Sequence, residues 1–231
     1  MNIYHVERSG LKQLEEPYKF FNCDIYAVEE DSNFWIWLGS KSNVDGKRIV
    51  AWASTLFQEQ NKKFNIKITK ELEEPPEFKK NLVYEVVEGI TPCFLKFMQK
   101  KIELDYHLYK VKRDEKGDLK ILETTIDYNV FKSDEIFVID GEKEIFVWIG
   151  KRSTLDEEQD VEKILQQIEK GRKYNPIVFR IKQEEEPEGF NEFVTKIAYH
   201  KNVLGLRKVI QSPKEEEKQL TKEEKKKKKW F

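Results

Sequence analysis

The chain has 231 residues, 37% of them charged, yet its formal net charge is only −1. A surface so evenly balanced has no global field aimed at nucleic acid, which is not an expected partner. The only cysteines, Cys23 and Cys93, are too far apart in sequence to suggest a disulfide framework or a zinc site, so a reducing, cytosolic compartment is expected.

In chain order, Met1–Tyr4 begins a strand-like pattern where a signal peptide would need a basic start and an apolar core. No apolar run approaches the ~20 residues of a membrane-spanning helix. Ile25–Val28 and Phe34–Leu38 alternate aromatic and branched residues on either side of a charged turn, which predicts an antiparallel pair ending at Gly39. Residues 43–60 carry apolar side chains at helical spacing, with Asn43 as candidate cap, so a long helix is predicted. A further strand over Phe64–Ile68 precedes Glu74-Pro75-Pro76-Glu77-Phe78, read as the start of a short helix.

The pattern then returns. Phe34-Trp35-Ile36-Trp37-Leu38-Gly39, followed by Asp45, comes back as Ile145-Phe146-Val147-Trp148-Ile149-Gly150, followed by Asp156. Asp24-Ile25-Tyr26 and Glu135-Ile136-Phe137 stand at the same distance before Trp37 and Trp148. A strand over Ile177–Ile181 and Glu186-Pro187-Glu188-Gly189-Phe190 complete the second copy. The fold class expected is α+β, with two repeats, each a mixed sheet packed against one long helix and a second, shorter one. The expected boundaries are repeat one over 1–83, a linker over 84–105, repeat two over 106–200, and a charged, disordered tail over 201–231.

The acid at the strand opening, the aromatic-Trp-Leu/Ile-Gly strand end and the Ser-x-x-Asp that follows (Ser42 and Asp45, then Ser153 and Asp156) resemble the gelsolin, severin and villin family of calcium-regulated actin-binding proteins. Two repeats resemble the compact two-domain gelsolins of archaea that possess actin. The resemblance extends from residue 3 to about residue 200, and Leu82–Phe94 resembles the segment joining the first two gelsolin repeats.

What the resemblance implies about metal is Ca²⁺ held by carboxylates and carbonyls meeting across each repeat, since calcium takes six to eight hard oxygens. The implied positions are Asp134, Glu135 and Glu157 in repeat two, and Asp24 with the carbonyls of Cys23 and Ile90 in repeat one. Gly46 stands where repeat one should have the helix glutamate, which leaves Asp45 as a substitute ligand or the site incomplete. The plain alternative is that acids at a helix start complement its dipole.

The two long helices, placed in register, differ. Val161, Ile164, Leu165 and Ile168 form one stripe, matched by Val50, Ala53, Ser54 and Phe57. The first helix adds Ile49, Trp52 and Leu56, where the second has Asp160, Lys163 and Gln167. A second apolar stripe needs a second partner. The resemblance makes that partner actin, whose cleft receives the outer face of this helix in the family; packing against the other repeat or the linker is the alternative. Phe94 and Phe97 of the linker are further actin-binding candidates, with packing between repeats as their alternative.

The basic cluster Lys225–Lys229 beside Trp230 and Phe231 fits a weak contact with an anionic membrane, or a solubilising tail. No phosphate loop, nucleophile elbow or metalloprotease motif is present, so no enzyme is expected. The function expected is a calcium-modulated regulator of actin assembly, cytoplasmic and cytoskeletal, by sequestering, capping or severing. The alternative is a trafficking or membrane-adaptor scaffold on the same fold that does not act on actin.

Overall fold

In the computed structural model, which describes residues 1–89 and 106–199, the first repeat is a five-stranded mixed sheet. Its strands are β1 (Asn2–Glu7), β2 (Gly10–Gln13), β4 (Ile25–Glu30), β5 (Asn33–Leu38) and β6 (Asn65–Lys70), in the order β2-β1-β4-β5-β6. Only β5 and β6 run parallel, because the long helix α1 (Gly46–Glu59) carries the chain back between them. A short helix α2 (Pro76–Lys79) follows, and β3 (Tyr18–Phe21) pairs with β7 (Tyr84–Val87) in a small parallel sheet. Repeat one therefore extends through Val87, past the boundary expected at residue 83.

The second repeat follows the same plan. β8 (His107–Arg113), β9 (Leu119–Thr124), β10 (Ile136–Asp140), β11 (Glu144–Ile149) and β12 (Ile177–Lys182) lie in the order β12-β11-β10-β8-β9. The long helix α3 (Gln159–Glu169) again precedes the parallel strand, and a second helix, α4, covers 190–199. The fold is α+β with two mixed sheets. The expectations placed on Ile90, Phe94, Phe97 and the charged tail lie outside the described residues.

The run Phe34–Leu38 is apolar at every position because both faces of its sheet are covered. Phe34, Ile36 and Leu38 join Ile49, Ala53 and Phe57 of α1 in one core. Trp35 and Trp37 turn the other way, onto Phe78 of α2 and Leu82. In repeat two, Ile145, Val147 and Ile149 pack with Val161, Ile164 and Leu165 of α3, while Phe146 and Trp148 pack with Phe190 and Phe193 of α4.

The Trp and Glu-Pro halves of the repeat turn out to be one device. A buried indole N–H needs an acceptor. Trp37 donates to Glu74 at 2.9 Å, and Trp148 donates to Glu186 at 2.8 Å.

The glycine that ends each central strand is required by close approach. A Cβ at Gly39 would collide with the carbonyl of Asn22, and one at Gly150 with that of Ser133. Both glycines also donate their N–H to the strand-opening acid, Gly39 to the Asp24 carbonyl and Gly150 to the Glu135 carbonyl, each at 3.0 Å. Backbone cannot give way as a side chain can, so Gly39→Ala is expected to cost about 2 kcal/mol or more in urea unfolding. A cost near zero would mean that the turn at Asn22 is soft.

Helix α1 starts later than residue 43. Asp45 rather than Asn43 is its cap, with Oδ1 accepting from the N–H groups of Lys47 (2.9 Å) and Arg48 (3.2 Å). Asn43 instead takes a left-handed conformation, φ 56°, which an asparagine tolerates.

Candidate functional site

The apolar residues of α1 that pack into the core are 49, 52, 53, 56 and 57, a spacing that makes one broad arc rather than two opposed stripes. Ile49 and Ala53 are fully buried, Phe57 is 5% exposed and Trp52 9%, and Leu56 is partly buried against the same core. Val50 and Ser54, expected on the inner face, are half-buried. Ile49, Trp52 and Leu56, expected on an outer face to meet actin or, alternatively, the other repeat, all pack in or against this core. Ile49 faces its own sheet, and α1 lies against β12 of the other repeat, whose Ile177, Phe179 and Ile181 belong to the same core. The exposure left to Trp52 and Leu56 opens into a cleft of about 270 Å³ between the repeats, which Arg8, Lys143 and Tyr174 also line.

Polar contacts hold α1 in this position. Just before the helix, the segment Asn43–Asp45 adds to the edge of β12. The Asp45 N–H donates to Val178 O and the Arg180 N–H to Asn43 O, both at 2.8 Å, and Val44 bridges Phe179 in antiparallel fashion. Arg180 Nε then donates to Asp45 Oδ2 at 2.7 Å. One turn along, Arg48 forks onto Glu162 (2.9 and 3.2 Å) and reaches Glu169 at 2.6 Å. Burial pushes the Glu169 carboxyl above its ordinary range, against the pull of the Arg48 charge. Asn175 donates to Thr55 Oγ1 at 2.7 Å and to Ala51 O at 3.2 Å. At the far edge Arg8 donates to Tyr106 Oη at 3.1 Å and to Gly141 O, beside the buried Glu144.

The acids that the resemblance assigned to calcium are placed as follows. Asp24 is 4% exposed, and its Oδ2 lies 3.1 Å from His5 Nε2 and 3.4 Å from Tyr26 Oη. Burial raises its carboxyl above the usual range, with the His5 and Tyr26 hydrogen bonds opposing. The buried Cys23 thiol also points at Asp24, with Sγ 3.8 Å from Oδ1. Asp45 has both oxygens engaged, one capping α1 and the other holding Arg180. Glu135 pairs with Lys110, and Glu157 pairs with Lys182 at 2.8 Å. Asp134 is exposed. One oxygen, Glu135 Oε2, is buried with no partner. A single such oxygen falls far short of a calcium shell. Among the described residues no group of three or more His, Cys, Asp or Glu side chains is placed to hold a metal ion.

The residues missed in the sequence are the charged ones of the interface. Arg180 interrupts the apolar run Ile177-Val178-Phe179-Arg180-Ile181, which was the one visible sign that this edge strand meets something acidic. Arg48, Glu162 and Glu169 carry no such sign, since each sits at a helix position that charged residues normally occupy.

Residues 123–191 match a family model described as the gelsolin repeat. No curated protein matches the chain. Among solved structures, the chain is similar to one in the Thorarchaeota 2DGel3/rabbit actin complex, at 25% identity over 83% of this chain and 98% of that one, with a TM-score of 0.35. It is similar to one in the Thorarchaeota ProGel/rabbit actin complex at 15% identity over 39% of this chain and 99% of that one, TM-score 0.33. It is also similar to the human COPII-coat protein Sec24c at 10% identity over 40% of this chain and 15% of that one, TM-score 0.32.

Proposed function

We infer, from a gelsolin-like chain whose residues 123–191 are a gelsolin repeat, that the protein binds actin and acts on its assembly in the cytoplasm. The reading is of a binding protein rather than an enzyme. Its support begins with the repeat itself, since β4, β5, α1 and β6 follow one another as β10, β11, α3 and β12 do in the matched segment, down to the Trp–Glu bond and the crowded glycine.

The single observation that carries the proposal further is the difference between the two long helices. Lys163 lies where α1 has Trp52, and Gln167 where it has Leu56. A tryptophan in a polar-rimmed cleft is the kind of residue that anchors protein interfaces, and Leu56 adds apolar surface beside it. We place the actin contact on this side of α1, with Ile49 supporting it from the core. Residues Phe94 and Phe97 are proposed to extend the contact along the linker. Actin then competes with the second repeat for α1. Calcium control is left out of the proposal, because Asp24, Asp45, Glu135 and Glu157 already face His5, Arg180, Lys110 and Lys182.

The test is sedimentation with filamentous actin and pyrene-actin assembly in EGTA. Altered assembly is expected, and Trp52→Ala should reduce it at least tenfold while Lys163→Ala does not. A wild-type protein that neither sediments with filaments nor changes assembly would remove the actin reading and leave the scaffold alternative. The same assay separates sequestering, which lowers the polymer plateau, from capping and severing, which change the elongation rate and the number of ends.

A further inference from the structure

In both repeats the acid that opens the central hairpin meets a base from the neighbouring strand, at the same place in the register. His5 on β1 stands across from Tyr26 on β4, and its ring reaches back to Asp24 at 3.1 Å. Lys110 on β8 stands across from Phe137 on β10, and its ammonium reaches back to Glu135. The surroundings superimpose as well. Tyr26 lies edge-on to Trp37 at 5.8 Å and 61°, and Phe137 lies edge-on to Trp148 at 6.0 Å and 61°.

These acids sit in poorly solvated positions. Asp24 has a side-chain exposure of 3% and Glu135 of 14%, and a buried carboxylate must be paired or neutralised. A divalent cation could do this, and so can a base built into the fold. Near the two helix starts, the buried Asp45 holds Arg180, and Glu157 faces Lys182 in a pair half open to solvent. Repeat one has no carboxylate at Gly46 to add.

We propose that His5 and Lys110 are the built-in partners of Asp24 and Glu135, His5 by a hydrogen bond and Lys110 by an ion pair, so that these acids are satisfied within the fold of this chain and are not calcium ligands. The proposal rests on the gelsolin-like reading, which is what makes a metal expected at these positions at all. It does not rest on actin binding, and its test contains no actin.

The experiment is calcium titration by calorimetry on the full chain, with melting temperatures in EGTA and in millimolar calcium, for the wild type, Asp24→Asn and Glu135→Gln. The wild type is expected to give no binding heat at these acids and a melting shift of under about 1 °C, where a well-bound ion would give several degrees. A heat or shift that persists in both variants would place calcium elsewhere and leave the proposal standing. A heat or shift present in the wild type and lost in either folded variant would overturn it.

A double-mutant cycle supplies the positive arm. Lys110→Met and Glu135→Gln should each lower the melting temperature, and the double variant should lower it by less than the sum, because the two changes remove one interaction. Strict additivity would mean that Lys110 does not neutralise Glu135. The readout does not depend on any variant keeping activity, and circular dichroism checks that each is folded.

Discussion

Glu74→Gln is expected to lower the melting temperature by several degrees at neutral pH and to remove part of the protein's sensitivity to acid. The Glu74 side chain is 4% exposed. It accepts from Trp37 Nε1 at 2.9 Å and Tyr84 Oη at 2.7 Å, and Lys79 Nζ lies 3.0 Å away. Burial alone would push its carboxyl up, but these donors outweigh burial and bring it down from 4.5 to about 2. A folded value below the unfolded one means that the charged form stabilises the fold. That contribution is fully present above about pH 4.5 and is lost as pH falls through about 2. The difference corresponds to on the order of 3 kcal/mol at pH 7.

Glutamine keeps an acceptor for the indole but loses the charge. The gap between the two proteins should therefore be widest at pH 7 and should close as the pH approaches 2. Urea unfolding at pH 7, 4.5 and 3 measures this. Parallel pH profiles for the two proteins would mean that Glu74 gains nothing from its donors. The matching change Glu186→Gln should cost less, because Glu186 serves Trp148 without the tyrosine and lysine that converge on Glu74.

The sheets and helices were legible in the sequence because they are periodic, and because the chain states the pattern twice. Short aromatic and branched runs marked β4 and β5, the repeat carried the reading to β10 and β11, and the Glu-Pro segments marked the helices behind the sheets. The rotation of α1 was not legible, for a reason visible at Asp160. Comparing helices in register assumes that a polar residue marks an outward face, so Asp160 made Ile49 look outward. Yet Asp160 is itself 2% exposed, accepting from the Asp156 N–H at 2.9 Å and pairing with Arg113. A buried, satisfied aspartate and a buried isoleucine can share one position in two repeats. Nor could periodicity have found the clasp between the repeats, which joins a loop to the edge of a strand 135 positions away.

One turn along α1 from that clasp, Arg48 joins the repeats a second time, on Glu162 and Glu169. Arg48 and Glu169 are each 12% exposed at the side chain, and Glu169 also has a buried oxygen with no partner. Removing one member of such a pair strands the other and costs about 3–5 kcal/mol. In Arg48→Ala that cost falls on the closed arrangement of the repeats, because Glu162 and Glu169 lie in repeat two while Arg48 lies in repeat one. When the repeats part, Glu169 returns to water, to which Glu162 is already open. The variant should therefore open before it unfolds, with a larger radius of gyration in small-angle scattering and unchanged far-ultraviolet circular dichroism.

Opening uncovers Trp52 and Leu56. An actin site on this side of α1 has an apparent affinity scaled by the open fraction, and each 1.4 kcal/mol removed from the closed state multiplies that fraction by about ten until it saturates. Arg48→Ala should then bind actin at least about tenfold more tightly than the wild type, and adding Trp52→Ala should abolish the gain. An expanded variant with unchanged actin affinity would move the actin surface off α1. A loss of affinity would mean that actin recognises the two repeats in their clasped arrangement.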